Sequence, residues 1–123
     1  MEKKPILCVD FDACIHSYKS GWKGVDVIPD DPVPGVFMWL NAALRHFDVY
    51  VYSSRSSSVK GRDAMFEFIK KYGGDIATKL KYVARKPRAH LYIDDRAMCF
   101  NGDWFDPRYN PEELLAFKPW YKQ

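Results

Sequence analysis

The sequence predicts an α/β fold, a mostly parallel central sheet in a three-layer α/β/α arrangement of the Rossmannoid kind. Three observations predict it. Short, continuous apolar runs alternate with stretches of helical periodicity, the pattern of a parallel sheet covered by helices. Three of those runs end abruptly in polar residues, as strands do at the ligand-binding edge of an open α/β sheet. The chain has 123 residues, enough for one core and not for two.

The elements follow in order. Pro5 to Val9 reads as a short buried strand that runs into Asp10. From Ile15 to Ile28, glycines and lysines surround Trp22, and Val25 and Val27 flank Asp26; the stretch reads as a loop with a β-hairpin, a small flap. After the Pro-rich punctuation of Pro29 to Gly35, the residues Val36, Trp39, Leu40, Ala43, Leu44 and Phe47 form one helical stripe. Phe47 to Tyr52 is the second strand, leading into Ser53, Ser54 and Arg55. Met65, Phe68, Ile69 and Tyr72 mark a second helix, which Gly73-Gly74 stops. Leu80 to Ala84 and Leu91 to Ile93 are the third and fourth strands, the last ending in Asp94-Asp95. Phe100 to Trp104 reads as a turn that returns an aromatic to the sheet. Asn110 caps a short terminal helix over Glu112 to Phe117, with Pro111 at its first position.

Composition narrows the function classes. With 47% hydrophobic and 28% charged residues the chain is that of a folded protein. A net charge of +3 is too small to argue for nucleic acid by itself, so local clustering decides. Cys8, Cys14 and Cys99 have neither an even number nor CxxC spacing, which speaks against a disulfide framework or a zinc knuckle. Nothing at the amino terminus resembles a signal peptide, and no apolar run approaches the ~20 residues of a membrane span. A reduced, cytoplasmic setting without membrane partners is expected.

The topology brings Asp10, Asp12, Ser53 and Asp94 to one sheet edge. In Asp10-Phe11-Asp12 the two carboxylates point to the same side of an extended segment. Two carboxylates so close together call for a shared proton or a cation, and Mg²⁺, a hard ion with oxygen ligands, suits them. An aspartate can also act as a nucleophile towards phosphorus. Phosphoryl transfer needs donors and positive charge for the phosphate oxygens, which Ser53 and Lys86 offer.

These residues carry a resemblance. Val9-Asp10-Phe11-Asp12 resembles the first motif of the haloacid dehalogenase (HAD)-like hydrolase superfamily, and Val51-Tyr52-Ser53-Ser54-Arg55 resembles the second. Lys86-Pro87 resembles the third, with Lys79 and Lys81 as rival lysines, and Tyr92-Ile93-Asp94-Asp95 resembles the fourth. The similarity spans roughly Ile6 to Trp104. It implies a phosphatase (phosphoric monoester hydrolase) that works through an aspartyl-phosphate. Asp10 is then the nucleophile and Asp12 the general acid and base, with Ser53 and Lys86 holding the phosphoryl oxygens. Mg²⁺ is held by Asp10, the main-chain carbonyl of Asp12, and Asp94, with Asp95 in support. Ser54 and Arg55 are expected at the substrate. The short segments between motifs leave no room for a cap domain, so the resemblance is to small capless members.

The chain departs from the family in Ala13-Cys14, where Gly-Thr or similar is usual. The preferred phosphomonoester is a nucleotide or polynucleotide end. Arg55, Arg85, Arg88 and Arg96 could form a basic rim for it, although an ordinary charged surface explains them as well. Trp22 could stack on a base, with a packing or flap role as the simpler account, and His16 and His90 could assist substrate binding, although lone histidines usually do not. Two other readings remain open: a non-catalytic HAD-like phosphate-binding protein, and a receiver-like signalling domain. The order of the acids, with Asp-x-Asp first and Asp-Asp last, disfavours the receiver.

Overall fold

The computed structural model describes residues 3–122 and is a small α/β protein. Its four strands, β1 (Ile6–Val9), β2 (Asp48–Val51), β3 (Lys81–Tyr82) and β4 (Leu91–Ile93), form one sheet in the order β3-β2-β1-β4. Every pairing is parallel. The register aligns Val9 with Val51 and Ile93, so the chain leaves β1, β2 and β4 at one level and delivers Asp10, Tyr52 and Asp94 to the same edge.

Helices α1 (Val36–Ala43), α2 (Val59–Gly73) and α3 (Ile76–Lys79) lie in the connections from β1 to β3, and α4 (Pro111–Leu115) follows β4. Ser58 starts α2 by accepting the Gly61 N–H at 3.0 Å, and Gly74 ends it at φ 68°, a conformation that favours glycine. Asn110 caps α4 through the Glu112 N–H, with Pro111 at the first position as expected. The four-residue α3 is too short to leave a periodic signal in the sequence. The terminal helix stops at Leu115, two residues before the predicted Phe117.

The core lies on one face of the sheet. Leu7, Val9, Val49 and Val51 pack there against Val36 and Leu40 of α1, Met65 and Ile69 of α2, and Ala77 of α3. Topology explains this. The steps from β1 to β2 and from β2 to β3 run in the same direction, so right-handed crossovers carry α1, α2 and α3 over the same face. The chain then returns across the sheet from β3 to β4 through residues 83–90, which contain no helix. Of the opposite-parity row of Cys8, Tyr50, Lys81 and Tyr92, Cys8 is buried, Tyr50 is half-buried, and Lys81 and Tyr92 are exposed.

Two local expectations are corrected. The hairpin predicted within Ile15 to Ile28 is a loop, marked only by isolated bridges from His16 to Asp12 and to Pro32. Its main chain turns at Tyr18, Gly21 and Gly24, with φ of 62°, 75° and 135°. The carbonyls of Gly24 and Val25 accept hydrogen bonds from Arg55 in place of a partner strand. The aromatic turn near Trp104 also does not reach the sheet. Trp104 stacks on Phe100 at 4.3 Å and packs edge-on to Tyr109, remaining 74% exposed.

Candidate active site

A cleft of about 460 Å³ opens at the carboxyl ends of β1, β2 and β4. Asp10, Asp12, Ser53, Ser54, Lys86, Asp94 and Asp95 all line it, so residues from widely separated segments meet in one place. Lys79 and Lys81 are not among its lining residues. The walls also carry Tyr18, Tyr52, Tyr92, Tyr121 and Arg96, none of which the sequence had marked as part of this site except Arg96 as a rim candidate.

Asp10 is fixed by the sheet. Its N–H donates to the Ile93 carbonyl at 2.9 Å, and its carboxylate accepts the Phe11 N–H at 2.8 Å. Burial is the main force on its carboxyl group, which is pushed up to about 8; hydrogen bonding to Asp95 and the nearby charge of Asp94 act in the same direction. Asp10 thus holds its proton more tightly than an ordinary carboxylate does.

One oxygen of Asp10, one of Asp95 and the Cys14 sulfur lie within 4.8 Å of one another. Asp95 is therefore the acid that converges on Asp10. The exposed Asp94 lines the cleft nearby, and its Oδ1 accepts the Arg96 N–H at 2.8 Å. The oxygen donors fit a hard divalent cation such as Mg²⁺, whose charge would favour the ionised form of Asp10. The Cys14 thiol is raised to about 12, first by burial and then by the charge of Asp10, and as a neutral group it does not compete for such an ion.

Asp12 faces elsewhere. Its carboxylate receives the Arg55 Nε at 2.9 and 3.2 Å and lies 3.0 Å from His16 Nδ1. His16 is fully buried, and its Nε2 accepts the Asp30 N–H at 3.1 Å. That bond leaves the ring proton on Nδ1, directed at Asp12. The spacing of His16 four residues after Asp12 is the sequence signal for this pairing.

Arg55 corrects another expectation. It was placed at the substrate, but its side chain is 0% exposed beneath Asp12. Nη1 donates to the carbonyls of Gly24 (2.8 Å) and Val25 (2.9 Å), and Trp22 covers the guanidinium with its ring centroid at 4.7 Å. Trp22 thus packs on a buried cation. Ser53 is buried too; its Oγ accepts the Arg55 N–H at 3.0 Å, while Ser56 Oγ accepts the Ser53 N–H at 2.9 Å. Ser54 is the exposed serine of the turn.

The loop after Asp12 is held in an unusual shape. Ala13 has φ 66°, where glycine is the easier residue, so the backbone there is strained. Its N–H donates to the His16 carbonyl, and its own carbonyl accepts Trp120 Nε1 at 2.7 Å. Next to Trp120, the Tyr121 ring meets Tyr18 edge-on at 5.8 Å, and its hydroxyl accepts from Arg96 at 2.6 Å. The end of the described chain therefore forms one wall of the cleft.

Comparison of the chain with protein-family models, with curated proteins and with solved structures returns no match. No helix among the described residues is long and apolar enough to cross a membrane.

Proposed function

We propose that this chain is a Mg²⁺-dependent phosphohydrolase that cleaves phosphomonoesters through an aspartyl-phosphate, a small capless domain of the HAD-like type with a loop in place of the hairpin flap. The observation that carries the reading is the convergence of Asp10, Asp12, Ser53, Lys86, Asp94 and Asp95 on one cleft at the carboxyl edge of the sheet. In this mechanism an Asp10 oxygen attacks phosphorus and the P–O bond to the leaving group breaks. Asp12 delivers a proton to the departing oxygen, then takes one from the water that opens the aspartyl-phosphate. Lys86 and the Ser53-Ser54 turn hold the phosphoryl oxygens. Asp10 and Asp95, with Asp94 close by, would hold Mg²⁺, which supplies charge neutralisation for the phosphate.

The test is hydrolysis of an aryl phosphate such as nitrophenyl phosphate. Turnover should require Mg²⁺, stop with chelator, and fall by at least about a thousandfold in Asp10→Asn. Equal rates for wild type and Asp10→Asn would sink the reading.

A second reading is a phosphate-binding protein without turnover. The engagement of Asp12 by both Arg55 and His16 favours it, because a carboxylate held by two donors is restricted as a proton shuttle. Phosphate binding that needs Lys86, with no hydrolysis under any metal, would select this alternative.

A further inference from the structure

The five cations of the segment from Lys79 to His90 are Lys79, Lys81, Arg85, Lys86 and Arg88, and the segment contains no Asp or Glu. The whole chain has a net charge of only +3, so its positive excess is concentrated here. All five are exposed, and among the described residues none makes an ion pair. Solvated surface lysines and arginines commonly scatter among acids; these do not.

Their placement matters as much as their number. Residues 83–90 are the helix-free return across the sheet, on the side that α1 to α3 leave uncovered. Along that side the register sets Lys81, Tyr50, Cys8 and Tyr92 in one row, with Cys8 buried at its centre and Lys81 and Tyr92 exposed at its two ends. Lys81 Nζ lies 5.5 Å from the centre of the Tyr50 ring, and Lys86 Nζ lies 4.5 Å from that of Tyr92. The return loop is pinned in place: Tyr92 donates its hydroxyl proton to the Pro87 carbonyl at 2.6 Å and accepts the Ala89 N–H at 3.0 Å. The row is continuous with the cleft, since Cys8, Tyr52, Lys86 and Tyr92 line the same cavity as Asp10.

We propose that this helix-free sheet face is a binding track for single-stranded nucleic acid, along which a phosphorylated strand end reaches the cleft. Unpaired cations strung along one segment, two of them, Lys81 and Lys86, beside an aromatic ring, are the chemistry that sequence-tolerant single-strand binding uses. Cations alone would serve any polyanion; the tyrosines beneath them add flat surfaces for bases. The direction of the track, from Tyr50 and Lys81 at the far strands to Lys86 at the acids, presents the terminal phosphate to Asp10. This assignment rests on the phosphohydrolase reading only for what happens at the end of the track.

The test measures binding and turnover separately. A short 5′-phosphorylated, fluorescently labelled single-stranded oligonucleotide is titrated with the full chain, and anisotropy is followed across a salt series. Binding should weaken with salt, and the double variant Lys81→Glu/Arg88→Glu should weaken it at least about tenfold and flatten the salt slope. Tyr50→Leu, which keeps apolar bulk but removes the phenol ring, should weaken it by about tenfold without changing that slope. Nitrophenyl phosphate hydrolysis and the thermal midpoint should stay at wild-type values in the Lys81/Arg88 variant, separating lost binding from lost folding. No binding at low salt, or equal binding by wild type and variants, overturns the track; so does tighter binding of a phosphoserine peptide than of the oligonucleotide. If aryl phosphate turns over while the oligonucleotide fails to bind, the track alone fails. If the oligonucleotide binds through these residues and no phosphate is hydrolysed, the track stands and the phosphohydrolase reading fails.

Discussion

Arg55 Nε donates to both carboxylate oxygens of Asp12, at 2.9 and 3.2 Å, with the arginine fully buried. One guanidinium thus joins the loop after β1, the turn after β2 and the Trp22 loop, through Asp12, its own backbone and the Gly24 and Val25 carbonyls. Removing it leaves Asp12 with His16 as its one remaining side-chain donor and takes the Arg55 bonds from the part-buried Gly24 and Val25 carbonyls. Arg55→Leu should destabilise the protein by about 3–5 kcal/mol, read from urea unfolding. Arg55→Lys should recover little, because an ammonium cannot span the same fork of acceptors. A loss under about 1 kcal/mol would mean the pair behaves as a surface salt bridge.

Gly61, in the first turn of α2, is there for space. A methyl group at this position would overlap the Arg55 carbonyl, a backbone atom that cannot step aside cheaply. Gly61→Ala should cost about 1–3 kcal/mol and disturb Asp12 through Arg55. Gly21→Ala meets nothing within 4 Å and has only its positive φ of 75° to strain, so it should cost about 1 kcal/mol. The ordering of the two unfolding midpoints checks the argument.

Asp10 makes stability depend on pH in a definite direction. Its carboxyl is raised from 3.8 to about 8 in the folded chain, so the folded state binds its proton more tightly than the unfolded state does. Its contribution is complete below about pH 4 and is lost as pH rises through about 8. Without metal, the thermal midpoint should therefore fall over that range. A divalent cation binds the ionised form, so the rise in midpoint caused by Mg²⁺ should be larger at pH 8.5 than at pH 6. Asp10→Asn should remove both trends; a Mg²⁺ effect independent of pH would contradict them.

Thiol chemistry separates the three cysteines. Cys99 is exposed, whereas Cys8 is buried and raised by that burial, and Cys14 is raised to about 12. A maleimide at pH 7.5 should label Cys99 quickly and the other two only in denaturant. Mass mapping of the labelled peptides reads the order directly.

The lysines of the return segment also divide. Lys86 lines the cleft and Lys81 lies over Tyr50, away from the acids. Lys86→Ala should lower aryl phosphate turnover by about 10²-fold, while Lys81→Ala leaves it within about twofold.

Much of the architecture was legible because it depends on local patterns. Ile6 to Val9 and Leu91 to Ile93 are apolar runs stopped by acids, and Met65, Phe68 and Ile69 form a helical stripe that the structure buries. The convergence of Asp10, Ser53 and Asp94 on one cleft followed from strands that end together. What stayed hidden depends on distant partners. The Trp22 loop looked like a hairpin because only Arg55, thirty residues on, takes the carbonyls of Gly24 and Val25. Arg55 looked like a substrate ligand because nothing nearby in sequence reveals that Asp12 will neutralise it. Trp120 and Tyr121 carry no motif, and their place at the site rests on contacts with Ala13 and Tyr18 across almost the whole chain.

The helix-free return to β4 has a further consequence, for the order in which the molecule assembles. β1 is the first strand made, yet its second neighbour, β4, lies more than eighty residues later, and Trp120 reaches Ala13 across 107 positions. Such remote pairings slow folding, because a large loop must close before any contact rewards it. During synthesis β1 and β2 can pair early, leaving one side of β1 bare and Asp10 without Asp95. The cleft is thus the last part of the domain to mature, so a partly made chain carries Asp10 but not the finished site.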